Sequence, residues 1–241
     1  MNIGQVLIGL AGLALGARSI KRGVSELSAG LNPSRGLSGH GAVERDPGER
    51  GSMGRRVRTV NRGKAGFSDV REVESLDERI NAIRDRIRKG RVDPKVIAWA
   101  RSQVTKRCPG KPGGWCVGEK DTTAEIHAIF HGMRRDVRYT SDVMGVDTYV
   151  HPRKTLEQKA GDCDDYSSLG CSALMSVGIP CRLKVIRTTD SQTWNHIYIQ
   201  GGTPKGGPEK WITLDASVPV KPGWEVPASM VAASRTFEVA W

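Results

Sequence analysis

Three residues of different chemistry stand where the pattern predicts the edges of regular elements. Cys163 lies in Gly161-Asp162-Cys163-Asp164-Asp165-Tyr166, His196 in Trp194-Asn195-His196-Ile197-Tyr198, and Asp215 in Trp211-Ile212-Thr213-Leu214-Asp215. A thiol, an imidazole and a carboxylate are the parts of a thiolate nucleophile with an oriented base. A free thiol is mostly protonated near neutral pH and needs help to react. The start of a helix would supply partial positive charge beside the sulfur, and its backbone N–H groups would stabilise a developing oxyanion. His196 would form the thiolate–imidazolium pair, and Asp215 would hold the far ring nitrogen.

Three carboxylates crowd this thiol, and the charge of Asp162, Asp164 and Asp165 would raise its pKa. Asp162 reads as a helix cap, and the other two as first-turn acids favoured by the dipole. The run lacks the alternating oxygen-ligand spacing of a calcium loop, so no metal and no cofactor is expected. Taken singly, each of the three key residues has an ordinary structural role: a buried small hydrophobe, a strand histidine, a turn-forming aspartate. The joint arrangement is what points to catalysis.

The elements that must position them follow from periodicity. Ser75 and Glu78 form a capping box before the stripe Leu76, Ile80, Ile83 and Ile87, which Gly90 closes. Asp93-Pro94 opens a second helix running to about Lys106, and Asp121 caps a third that buries Ile126, Ile129, Met133 and Val137. A fourth begins at Cys163 and ends at Gly178. The period then changes to two, predicting strands from Cys181, from His196 and from Lys210. The last two would pair as a hairpin across a long turn at Gly201 to Gly207, and adjacent strands about 4.8 Å apart would let His196 and Asp215 touch on one face. Helices first and strands after predict an α+β fold with an antiparallel sheet.

These residues, in this order, resemble the transglutaminase-like superfamily, the papain-like fold shared by transglutaminases, peptide N-glycanases and many microbial cysteine proteases. The resemblance covers about residues 121–218. It rests on Tyr139, on Thr155-Leu156-Glu157-Gln158-Lys159-Ala160-Gly161-Asp162-Cys163-Asp164-Asp165-Tyr166, on Gly178-Ile179-Pro180-Cys181-Arg182, and on the segments around His196 and Asp215. It implies a papain-like core with Cys163 as nucleophile, His196 as general base and acid, and Asp215 as the residue orienting it. It does not tell peptide hydrolysis from amide exchange.

Five cysteines is an odd number, so at least one thiol is free unless pairing crosses chains, and Cys163 is expected to be that one. Cys108 and Cys116 flank Pro-Gly-Lys-Pro-Gly-Gly-Trp, a tight loop that would bring them together as a disulfide. Cys171 and Cys181 sit in apolar stretches and are expected to be buried thiols. Pocket walls are expected from the loops Thr140–Pro152, Thr188–Thr193 and Thr203–Pro208, with Trp194 and Trp224 as candidates to line a cleft.

The chain of 241 residues divides by composition. Residues 1–22 hold the apolar run Ile3 to Ala17, too short for an ordinary spanning helix and without a positive segment before it. It is expected to be a small-residue packing helix or a membrane-associating segment. Residues 23–67 read as a basic, glycine-rich arm, 68–120 as a helical lead-in, and 121–241 as the catalytic domain. The net charge of +11 belongs to the N-terminal half: residues 1–120 hold 24 Lys and Arg against 12 Asp and Glu, residues 121–241 hold 13 against 14. Such an arm suits an acidic partner or stands as a solvated tail with none, and without interleaved aromatics it offers nucleic acid or an anionic surface only weak phosphate-type attraction.

The function expected is a cysteine-dependent hydrolase of amide or peptide bonds acting on a protein or peptide substrate. A protein-crosslinking transamidase is a variant. A non-catalytic structural or assembly protein, such as a phage virion or tail component threading into a larger assembly through residues 1–67, is the alternative.

Overall fold

Helix starts are decided here by side chains that satisfy the first backbone N–H groups, and the computed structural model shows them in place for residues 68–70, 75–141 and 148–241, the part of the chain it describes. Helix α1 (Leu76–Gly90) begins at a complete capping box, the Glu78 N–H donating to Ser75 Oγ and the Ser75 N–H to the Glu78 carboxylate. Asp93 caps α2 (Pro94–Val104) and Asp121 caps α3 (Thr122–Asp136). A short helix the sequence reading passed over, α4 (Pro152–Gln158), starts at His151, whose Nδ1 accepts from the Arg153 N–H. Helix α5 (Cys163–Ser176) starts where Asp162 Oδ1 accepts from the N–H groups of Asp164 and Asp165 at 3.0 and 3.2 Å. The chain leaves α5 through Gly178, whose φ of 82° suits glycine. Residues 1–22 and 23–67 lie outside the described residues, as does 142–147 within the predicted wall loop Thr140–Pro152.

The described residues all fall in one compact unit, Arg56–Trp241. Two small ladders frame its helices. Strand β1 (Ser68–Val70) pairs antiparallel with β3 (Thr148–Val150), and β2 (Arg138–Tyr139) pairs parallel with β4 (Ala160–Gly161). The main sheet has four antiparallel strands in the order β7-β6-β5-β8: β5 (Cys181–Thr188), β6 (His196–Thr203), β7 (Lys210–Leu214) and β8 (Val231–Glu238). Helices precede an antiparallel sheet, and β6 and β7 form the hairpin that the alternation predicts. The edge strand β8 was not anticipated. It alternates partly buried and exposed positions and lacks a run of large apolar residues.

Alternation assigns the faces of the sheet. Leu183 and Val185 of β5 and Ile197 and Ile199 of β6 enter the main core. Ile186 and Tyr198 point to the other face, where they meet Val226 and Trp224 in a second cluster. The main core also takes Ile80, Ile83 and Ile87 of α1 and Val96 and Ala100 of α2, so these helices share one interior with α5 and the sheet. At its centre is α5, in which every residue from Asp164 to Met175 is buried. A helix covered on all sides needs small residues where neighbours come closest. Gly170 is such a point: a Cβ there would lie 2.5 Å from Ile199 Cδ1 and 3.0 Å from Met133 Sδ, side chains with no free space to swing into. Gly170→Val is therefore expected to cost about 2 kcal/mol or more through overpacking, read as a lower midpoint in urea unfolding.

One cysteine expectation is corrected. Cys171 of α5 and Cys181 of β5 are not free buried thiols but a disulfide, with both residues buried. The expected Cys108–Cys116 disulfide is present, and among the described residues Cys163 is the free cysteine.

Candidate active site

The cap that starts α5 also delivers Cys163 to the helix N-terminus, half-buried and facing the first residues of β6. The Ile197 backbone N–H of β6 faces the Cys163 sulfur and works to lower its pKa, so the helix start and the strand start approach each other here. A cleft of about 150 Å³ opens there, lined by Cys163, His196, Asp162, Asp164, Trp194 and Arg79 among others. Trp194 thus takes up the predicted wall position, whereas Trp224 packs behind the sheet.

His196 and Asp215 are brought together by register. Ile199 pairs with Leu214 in the last step of the β6–β7 ladder, which leaves Asp215 one residue past the end of β7 and within reach of His196. His196 Nε2 and Asp215 Oδ2 are 2.7 Å apart, with the residues 6% and 2% exposed. The second Asp215 oxygen accepts from Ser217 Oγ at 2.6 Å, so the carboxylate is held at both ends. With Nε2–H donated to Asp215, the neutral ring presents Nδ1 as the nitrogen able to take a proton. Of the three residues expected at the site, Cys163 and His196 line this cleft, and Asp215 lies behind it in contact with His196.

The electrostatics are those of a resting thiol. Burial pushes the Cys163 pKa up; the charges of Asp164 and Asp162 add to it, and the Ile197 N–H works against them. For His196, burial disfavours the charged ring, but the charge and hydrogen bond of Asp215, with Asp164 behind it, outweigh that cost and raise its pKa. Burial and the neighbouring Cys163 likewise raise the Tyr139 phenol.

Several of these roles were not legible in the linear chain. Asp164 is more than a first-turn acid: Cys163 Sγ lies 3.8 Å from its Oδ1. Asp165 instead accepts the Val150 N–H at 3.2 Å, tying β3 to α5. The expected oxyanion donors need amending, because Asp162 already occupies the N–H groups of Asp164 and Asp165. Ser217 stood in the segment that carries the resemblance but without an assigned role, and the Ile197 N–H, a backbone group, left no mark in the sequence. Among the described residues no group of three or more His, Cys, Asp or Glu is arranged to hold a metal ion.

Residues 113–216 match the family model described as the Transglutaminase-like superfamily. No curated protein matches the chain significantly. Three solved structures are similar over part of their length. A candidate cysteine protease from Cytophaga hutchinsonii shares 19% identity at a TM-score of 0.37, over 60% of this chain and 46% of that one. A candidate protease from Parabacteroides distasonis shares 11% at a TM-score of 0.39, over 57% and 26%. A TGase shares 16% at a TM-score of 0.31, over 61% and 35%. The chain therefore spans less than half the length of each.

Proposed function

Since residues 113–216 match the transglutaminase-like family model, we propose that the protein is a cysteine-dependent hydrolase of amide bonds in proteins or peptides, working through a thioester at Cys163. The observation that carries this reading is the buried His196–Asp215 pair at 2.7 Å, whose histidine lines the same cleft as the free thiol of Cys163.

In this reading the Cys163 proton passes to His196 Nδ1 while the sulfur attacks the substrate carbonyl. The imidazolium, stabilised by Asp215, then protonates the leaving amine, and water resolves the thioester with His196 as base. The Ile197 N–H, which faces the sulfur, is a candidate donor to the substrate oxygen as the sulfur moves onto carbon.

The test is coupled labelling and cleavage. The protein is incubated with a proteome-derived peptide library, and new peptide termini are counted by mass spectrometry after graded iodoacetamide treatment. Cleavage is expected to fall in proportion to the fraction of Cys163 alkylated. Cleavage that survives complete alkylation of Cys163 would overturn the proposal.

The raised thiol pKa favours a second reading, a non-catalytic assembly protein that keeps the fold. On that reading Cys163 alkylates like an ordinary buried thiol, and His196→Ala leaves its labelling unchanged.

A further inference from the structure

We propose, on the reading that Cys163 is the nucleophile, that Asp164 is a positioning residue that keeps the proton on the resting thiol. Its carboxylate accepts the Sγ–H, so the proton reaches His196 only when this contact breaks.

The geometry is specific to one of the three neighbouring acids. Asp162 spends Oδ1 on two helix N–H groups, and Asp215 spends its oxygens on His196 and Ser217. Asp164 is the one whose oxygen reaches the sulfur, at 3.8 Å, within the range of a thiol hydrogen bond. It is 9% exposed and lines the cleft beside Cys163, so water screens the contact poorly. A thiol is a weak donor, and a carboxylate is the acceptor that gains most from it.

The groups around the sulfur make the competition plain. From α5 come Asp162 and Asp164, from the end of β7 Asp215, and from β2 the Tyr139 phenol. From β6 come His196 and the Ile197 N–H, and α1 brings Arg79 to the cleft wall. The negative charges favour a neutral sulfur, and Asp164 also favours a protonated His196, the form unable to accept the thiol proton. One carboxylate therefore holds both partners in the state from which attack cannot start. Attack needs the S–H proton to move to His196 Nδ1. The sulfur lone pair then bonds to the carbonyl carbon, the C–N bond breaks, and the amine leaves with that proton. Asp164 stays a carboxylate throughout.

The experiment is the pH dependence of iodoacetamide labelling at Cys163, read by mass spectrometry in the native protein and in Asp164→Asn, Asp164→Ala and Asp164→Glu. A carboxylate at this range shifts a neighbour by about one pH unit or more, so the midpoint should fall by at least that much in the Asn and Ala variants. Labelling below the native midpoint should then rise about tenfold. Asp164→Glu, which keeps the charge, should return the midpoint toward the native value. A midpoint that stays put or rises in both neutral variants, with thermal unfolding unchanged, overturns the proposal. A loss of packing alone would not lower a thiol midpoint and raise it again with Glu. The nucleophile reading fails separately: if Cys163→Ala keeps its cleavage activity, that reading is wrong wherever the Asp164 midpoints fall. If cleavage is lost but the midpoints do not move, only the role of Asp164 is wrong.

Discussion

Asp215→Asn is expected to lower kcat for peptide cleavage about ten-thousandfold while leaving the fold intact, the scale of loss when a triad carboxylate is neutralised in place. The substitution keeps the shape that His196 Nε2 and Ser217 Oγ contact but removes the charge. Without that charge two things change. The ring loses the acceptor that fixes its tautomer, and its protonated form, which burial already disfavours, loses its main support.

The pH dependence gives the sign. In the native protein His196 titrates above its ordinary value of 6.5, so the acid limb of kcat/KM should lie above that value. In the variant the limb should move to lower pH even as the plateau drops. Stability follows the same linkage. A histidine whose folded pKa is raised contributes stability that is full below its unfolded pKa and is lost as pH rises through the folded one. The native protein should therefore lose this increment between about 6.5 and the raised value, and Asp215→Asn should show no such decline. Steady-state rates and urea midpoints across this window check both statements. A kcat within tenfold of native would remove Asp215 from the proposed machinery.

Opening the Cys171–Cys181 disulfide should produce the largest loss of stability. It closes a segment with a sequence separation of 10, for which loop-closure entropy gives about 3 kcal/mol. In a domain of this size that corresponds to a drop in Tm of roughly 6–12 °C. Cys171→Ala/Cys181→Ala, compared with the native protein by calorimetry, measures it. Reduction of the native protein also opens Cys108–Cys116 and should lower Tm at least as far, while a change under about 2 °C in the double variant would show that packing alone holds α5 against β5. The disulfide lies further along the helix that begins at Cys163, so the variant should also label Cys163 less selectively.

What the chain disclosed in advance depended on whether the cause was local. The caps at Ser75, Asp93, Asp121 and Asp162 were readable because each bonds to N–H groups two or three residues away. The His196–Asp215 contact was readable because the two strands of one hairpin bring the start of the first beside the end of the second. Long-range partnerships were not. The disulfide joins a helix and a strand whose apposition exists only in the folded core, so Cys171 and Cys181 each look like a small hydrophobe. Strand β8 runs along an edge, where Ser234, Arg235 and Thr236 are exposed and give no periodic signal. Helix α4 is shorter than the window in which a helical stripe can be counted. At the site itself, Asp164 was noticed as a charge, but which of three neighbouring carboxylates would reach the sulfur depends on helix geometry.

The close seat of α5 against the sheet has a consequence for selectivity. Ile199, against which Gly170 is pressed, belongs to the strand that begins with His196, and the disulfide bolts the same helix to the next strand. Thiol and imidazole are thus mounted on one frame, like two jaws cut from a single block, with a spacing that a bound molecule has little power to alter. On the proposed hydrolase reading, such a frame would not choose among substrates by closing the jaws further on the right one. Choice would then be exercised at the rim, by the loop that carries Trp194, and on that reading variants altered there should change which bonds are cut before they change how fast cutting proceeds.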